Sequence, residues 1–462
     1  MQDLKHLSSK KRLFGFGFSR TSSSNRRLTA SGENAPKGVH PPPRGKRREQ
    51  LKHLLLFLAI VLALTPVCVL VFQKAPLAFR DVEALLRSHL TPSTPKAEAA
   101  RLPSAGSFET ACLLLDSANT SGERLTAQTA GNETIHYTIH ADLQQRVHDF
   151  LARYQVPYGV FVAIEPATGR ILGMTAYSSA DPSWARGACF DLYPMASLFK
   201  IITASAALET KRITPETVVE FRGRPYSENP RYWDASPRGG NNRMDVTCAM
   251  AKSVNPVYGR VASAIAGKAS LMELVQRFGF NQTLLSNTPA KASRAGAPRD
   301  DHGLKLMGAG LDHEVKISPL HAAVIMSAIA NNGRMMSPSL TDRVVDTSGG
   351  VKPAPGPREL RRLVSPETAT ALTRMLSNTV TSGTSRRAFH DRRGRPRLNV
   401  DIAAKTGSID GSDPKGHYSW FAAFAPIRQP RIALVALVIN GDRWRIKAPQ
   451  VGEQALEEFF RR

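Results

Sequence analysis

The sequence predicts an α+β fold: an antiparallel five-stranded sheet with flanking helices and a helical insertion. Three observations carry this. Two apolar, strand-length runs at 158–165 and 170–177 are joined by Pro166-Ala-Thr-Gly169, a turn composition that closes a hairpin. Three more strand-like runs, at 400–405, 417–425 and 431–440, come only near the C-terminus. Between 197 and 380 the pattern is mostly helical. Two early strands and three late ones make one sheet completed by both ends of a domain.

At 462 residues, 42% hydrophobic and 22% charged, the chain has enough apolar content to bury a real core. Its formal net charge of +24 is uneven. Residues 1–53 hold thirteen Lys or Arg against three acids. This arm, rich in Ser, Pro and Gly, cannot bury enough apolar area to fold alone. It suits an anionic membrane surface or nucleic acid, or it is a solvated tail. No nucleic-acid motif accompanies it, so no nucleic-acid partner is expected.

Residues 54–72 follow, nineteen residues without a charge, about one bilayer crossing. Arg44, Lys46, Arg47, Arg48 and Lys52 precede this run, and only Lys74 and Arg80 follow closely. The charge bias predicts a single-pass anchor in the cell membrane, N-terminus cytoplasmic and the long C-terminal part outside. The basic leader is too long for a cleaved signal peptide, and no small-x-small cleavage site follows. Residues 73–135, with Thr91-Pro-Ser-Thr-Pro95 and Leu102-Pro-Ser-Ala-Gly106, read as a membrane-proximal spacer. The folded domain is expected over 136–462. A helix at 143–154 opens it, and others are predicted at 267–279, at 321–330 and at the C-terminus, 450–460.

The chemistry starts at Ser197-Leu-Phe-Lys200, the head of an apolar helix. Three-residue spacing puts both side chains on one face, one turn apart. A lysine in a buried helix needs a partner, and a serine beside it reads as a nucleophile with its base. The bland alternative is a capping serine and a snorkelling lysine. Ser-x-x-Lys also occurs at Ser8, Ser93 and Ser412, but only Ser197 heads an apolar helix.

Two further elements accompany this pair. Lys405-Thr406-Gly407-Ser408, with the chain's one Lys-Thr-Gly, is predicted to end the first late strand. There Gly407 leaves space for a ligand against the strand. Thr406 and Ser408 would offer hydroxyls to an anionic group and Lys405 a charge. Ser253-Val-Asn255 lies between two helical patterns, on a loop that can point both side chains into a cleft. Ser227-Glu-Asn229, in a Pro/Arg-rich loop, is the less favoured Ser-x-Asn.

Together and in this order, the three motifs resemble those of the transpeptidase domain of penicillin-binding proteins. The hairpin from Val162 to Leu172 and the stretch from Met307 through Ile317-Ser-Pro319 to Gly333 are also similar to that family. The resemblance covers roughly 136–462. Met195-Ala196 departs from it, standing where members often have Pro-Gly.

The resemblance implies a penicillin-binding/β-lactamase-like fold and a monofunctional, class B-like enzyme. It implies a peptidoglycan D,D-transpeptidase acting on stem peptides that end in D-Ala-D-Ala, with β-lactams as covalent inhibitors. Ser197 would be the nucleophile, Lys200 its base and Ser253 a proton relay. Asn255, Lys405, Thr406, Gly407 and Ser408 would bind substrate. No metal or organic cofactor is implied, and a glycosyltransferase is the expected partner. A D,D-carboxypeptidase differs only in the acceptor. A β-lactam sensor would need a signalling domain, and an inactive scaffold a lost motif residue. Class A β-lactamases use a Glu-x-x-x-Asn motif, which does not occur between Lys200 and Lys405.

Of four cysteines, Cys68 falls in the apolar run, and no spacing suggests a metal site. Cys189 and Cys248 flank the two motif serines. They are either bridged, if their segments converge, or two small buried hydrophobes at separate positions.

Overall fold

The computed structural model describes residues 104–122 and 124–461. The basic arm and the apolar run at 54–72 lie outside them. Among the described residues no helix is long and apolar enough to cross a membrane.

The described chain opens with α1 (Phe108–Leu114), capped by the Ser107 side chain, which accepts from the Thr110 amide. Strands β1 (Asn119–Ser121), β2 (Arg124–Gln128) and β3 (Thr134–His140) follow. Helix α2 (Ala141–Arg153) buries Leu143, Val147 and Leu151, one apolar stripe at four-residue spacing. It leads into the hairpin β4 (Tyr158–Ile164) and β5 (Ile171–Tyr177).

The helical insertion begins with a 3₁₀ turn, Ala196–Phe199, that continues as α3 (Lys200–Glu209). All residues of α3 except Glu209 are buried. A short ribbon, β6 (Val218–Phe221) with β7 (Asn242–Asp245), carries a long loop between its strands. Helices α4 (Val246–Ala251), α5 (Asn255–Arg260), α6 (Gly267–Arg277), α7 (Asp301–Ala309) and α8 (Pro319–Ala330) come next. Strands β8 (Thr341–Val345) and β9 (Val351–Pro353) precede α9 (Pro366–Thr381) and the single turn α10 (Arg386–Phe389). Both α8 and α9 start at a Ser-Pro pair, with the serine accepting an amide of the first turn and proline in the first turn, where no hydrogen bond is lost. The chain closes with β10 (Ala403–Ser412), β11 (Lys415–Ala425), β12 (Ile432–Asn440) and α11 (Ala448–Phe460).

The expected sheet is present: five antiparallel strands in the order β10-β11-β12-β4-β5. Its register runs Lys405 to Ala422, Ala422 to Val435 and Val435 to Val162. Alternate residues feed two cores. Phe161 and Ala163 pack with Leu143 and Val147 of α2 and Val451 and Ala455 of α11. Val160 and Val162 belong to the other core, with Ile201 of α3 and Ile325 of α8. With helices on both faces, all nine residues of β12 are buried, which explains their unbroken apolar run.

Two expectations need correction. The strand placed at 400–405 starts at Ala403 and runs to Ser412, so Lys-Thr-Gly-Ser lies inside it rather than at its end. Pairing continues through Ser408 with Ser419 to Ser412 with Lys415. β10 is an edge strand, and its partly exposed outer half tolerates polar residues that read as a turn. Secondly, the stretch expected as spacer is folded from Gly106 onward. There β1, β2 and β3 join β8 and β9 in a second antiparallel sheet. Its strands are short, and segments such as Thr341–Val345 mix polar and apolar residues, so neither end of this sheet had a clear strand pattern. Cys112, Cys189 and Cys248 are free thiols. Cys189 is buried in the core with Phe190, and Cys248 is half-buried on α4, so the unbridged alternative holds.

Candidate active site

Ser197 sits in the 3₁₀ turn that opens α3, and Lys200 is the helix's first residue. Neither turn nor helix has a side-chain cap, so Ser197 is not a capping serine. Lys200 does not snorkel either: it is fully buried. Its ammonium donates to Ser197 Oγ at 2.7 Å, Asn255 Oδ1 at 2.8 Å and the Ala309 carbonyl at 2.6 Å. Ala309 ends α7, where carbonyls lack intrahelical partners.

Backbone geometry aims the serines. Ala196 and Ser253 both adopt left-handed φ, +53° and +57°. For non-glycine residues this costs on the order of 1–3 kcal/mol and is retained where surrounding structure enforces it. At Ala196 a glycine would carry no such cost. Ser253 ends α4: its amide bonds back to Met250 O at 3.1 Å and that of Val254 to Ala249 O at 2.9 Å. This exit turns the Ser253 hydroxyl to Lys405, whose Nζ donates to it at 2.8 Å and to the Thr406 carbonyl at 2.6 Å.

The chain must also pass close behind Ser197. Gly310 caps α7 at φ +71°, and a Cβ there would lie 2.2 Å from the Ala196 carbonyl oxygen and 2.9 Å from Ser197 Cα. These are backbone atoms and cannot swing aside. Gly310→Ala is therefore expected to destabilise the fold by more than about 2 kcal/mol and to slow acylation of Ser197. Thermal melting and a β-lactam acylation rate check this together.

Burial sets the electrostatics. It lowers the Lys200 pKa well below the ordinary lysine value, and the neighbouring Lys405 charge lowers it further. Burial brings Lys405 to about 7. Two buried cations cannot both hold their protons easily. Lys200, which also feels Lys405, is the one expected to release its proton first, so a neutral base stands beside Ser197 while Lys405 keeps a charge.

Ser197, Ser253, Asn255, Thr406, Gly407 and Ser408 line one cleft of about 690 Å³. All eight residues singled out in the sequence thus converge, with the two lysines beneath this surface. A cavity of about 720 Å³ at the second sheet lacks such a set; its Arg170 and Asp342 satisfy each other at 2.6 Å.

Several cleft residues carried no sequence signal. Thr384, on the turn after α9, bonds the Thr406 hydroxyl at 2.5 Å. Trp444 and Lys447 stack, with Nζ 4.2 Å from the ring centroid. Tyr226 and Glu228 reach the cleft from the 222–241 loop. The less favoured Ser227-Glu-Asn229 is thus not the second motif, yet its loop borders the site.

A serine bonded to a buried lysine of lowered pKa, facing hydroxyls and a second lysine on an edge strand, defines a serine acyl-transfer site. Residues 159–457 match the penicillin binding protein transpeptidase domain, and the chain belongs to this family. It is 28% identical over 342 residues to the peptidoglycan D,D-transpeptidase PbpA of Mycobacterium tuberculosis, covering 66% of this chain and 67% of that protein. It is 25% identical over 329 residues to stage V sporulation protein D of Bacillus subtilis, covering 66% of this chain and 49% of the relative. The fold also resembles the crystal structure of PBPA from Mycobacterium tuberculosis, with TM-score 0.58, 25% identity, and 70% of this chain and 81% of that one covered. A ceftriaxone acyl-enzyme complex of that penicillin-binding protein A matches with TM-score 0.59 and 25% identity, over 71% of this chain and 80% of that one.

Proposed function

We propose that this protein is a peptidoglycan D,D-transpeptidase that acylates Ser197 with the D-alanyl end of a stem peptide and passes it to an amine of a neighbouring stem. The observation that carries this is the 2.7 Å contact between Ser197 Oγ and the buried Lys200 amine. The Ser197 oxygen attacks the penultimate carbonyl as its proton moves to Lys200. The C–N bond to the terminal D-alanine breaks, and Ser253 protonates the leaving amine, recovering a proton from Lys405. In the second step the acceptor amine loses its proton through Ser253 to Lys405. Lys200 returns its own to Ser197 as the ester C–O bond breaks.

The remaining residues position substrate. β10 is an edge strand bordering the cleft, so a stem peptide can lie along it as an added strand. The Thr406 and Ser408 hydroxyls receive the terminal carboxylate, and Lys405 supplies the field. Asn255 holds the stem-peptide amide. Backbone N–H groups of Ser197 and Ser408 stabilise the oxyanion, each worth about 3 kcal/mol. β-Lactams enter the same path as covalent inhibitors.

The apolar run at 54–72 and the basic residues before it support a single-pass anchor with the catalytic domain outside the cell membrane. A membrane glycosyltransferase would supply the strands to be cross-linked. A reporter fused after Arg462 is expected to be active only in its exported form; a cytoplasmically active fusion rejects this topology.

The acceptor is tested with a D-Ala-D-Ala pentapeptide donor and a second stem peptide bearing a free amine. One cross-linked dimer should form for each D-alanine released beyond background hydrolysis. Release without any dimer identifies a carboxypeptidase instead.

A further inference from the structure

We propose that Trp233 is a positioning residue for acyl transfer: together with Ser227 it holds the 222–241 loop so that the Ser227 carbonyl fixes the carboxamide of Asn255 against Lys200. The proposal rests on reading Lys200 as the base.

Trp233 is out of character with its surroundings. The loop between β6 and β7 is largely exposed, with Tyr226 at 65% and Tyr232 at 61%, yet Trp233 is 0% exposed. Its ring lies in a notch at Gly259, where a Cβ would stand 2.4 Å from two ring carbons. Gly259 belongs to α5, the helix that begins with Asn255. The Trp233 carbonyl accepts from the Arg222 amide at 3.1 Å, closing the loop upon itself. The indole N–H crosses the loop and donates to Ser227 Oγ at 3.1 Å.

From there the loop grips Asn255 twice. The Pro225 carbonyl accepts the Asn255 amide at 2.8 Å, and the Ser227 carbonyl accepts Asn255 Nδ2 at 3.3 Å. The second contact has chemical consequences. A carboxamide has a donor end and an acceptor end, and its partners decide which faces which way. A backbone carbonyl only accepts, so it draws the NH₂ group and leaves Oδ1 for Lys200, 2.8 Å from Nζ. Without that carbonyl in place, Asn255 is free to turn its NH₂ toward the base.

A second anchor lies next door. Asp234 accepts from Lys305 at 2.6 Å, and Lys305, nearly buried, is also paired with Asp301 at 2.7 Å. Lys305 sits on α7, whose Ala309 carbonyl is another acceptor for Lys200. The loop is therefore fastened to both helices that supply Lys200 with acceptors. Among the described residues Trp233, Ser227, Asp234 and Lys305 bond other partners than Ser197, so they act through Asn255 and Lys200.

Trp233→Phe keeps a ring for the Gly259 notch and removes the N–H; Ser227→Ala removes the acceptor. Each is expected to slow β-lactam acylation about tenfold, the scale of one hydrogen bond between polar groups. Each should also move the acid limb of the acylation pH profile to lower pH. Lys200 in its charged form loses an acceptor, so it gives up its proton more readily. The charged group that acts on it, Lys405 on β10, is unchanged by either substitution. In an Asn255→Ala background, Ser227→Ala should have no further effect on rate or profile. Wild-type rates and profile in both single variants overturn the proposal. So does a fall in melting temperature with the profile unmoved, or equal effects of Ser227→Ala with and without Asn255. Normal acylation by Lys200→Ala would instead overturn the reading of the base itself.

Discussion

Lys200→Ala is expected to lower the acylation rate of Ser197 by about 10³–10⁴-fold, the upper range for loss of a positioned general base. The geometry leaves Ser197 no substitute. Lys200 Nζ is bonded to the serine oxygen, and the other close lysine, Lys405, is engaged with Ser253 and the Thr406 carbonyl. The variant also strands buried acceptors at Asn255 and Ala309, at about 1–3 kcal/mol for each group left unpaired, so melting should be recorded beside the kinetics. Small primary amines offer a control that folding effects cannot mimic. The truncated side chain leaves room for one, and added amine should restore part of the rate, more at higher pH where it is neutral. Acylation within tenfold of the wild type without added amine contradicts the assignment.

The second large effect concerns Lys405. For ligands with a free carboxylate, kcat/KM should rise with pH as Lys200 loses its proton and fall again above about 7 as Lys405 loses the charge that attracts the carboxylate. The sign follows from the direction of both shifts. Burial disfavours both cations, and Lys200, which also feels the Lys405 charge, clears first. Lys405→Ala should reduce kcat/KM by at least about 10²-fold, because it removes the charge and leaves Ser253 without its donor. Lys405→Arg should fall less, and its alkaline limb should disappear, since a guanidinium stays charged. An alkaline limb that persists unchanged in the arginine variant assigns that titration to another group.

How legible these features were depended on what each residue contributes. The catalytic sheet could be read because four of its five strands are largely apolar runs of seven to eleven residues. The second sheet could not, because β1 has three residues and β8 mixes Thr, Asp and Arg with valines. Ser197, Lys200 and Lys405 carry their chemistry in side chains at recognisable spacing. The 222–241 loop acts largely through the carbonyls of Pro225 and Ser227, which every residue type possesses. Trp233 betrays its role only by being buried in an exposed loop, which requires coordinates. A base role for Lys200 followed from the serine beside it, and that role requires a lowered pKa. That Lys405 is lowered along with Lys200 came from finding both fully buried.

The central claim is that Ser197 is the acylated nucleophile. The most direct test is mass spectrometry of the protein after incubation with benzylpenicillin, followed by peptide mapping. The wild type should gain the mass of one penicillin on the peptide containing Ser197, and Ser197→Ala, with an unchanged melting temperature, should gain none. An adduct mapped to any other residue, or an equal adduct in Ser197→Ala, would contradict the account.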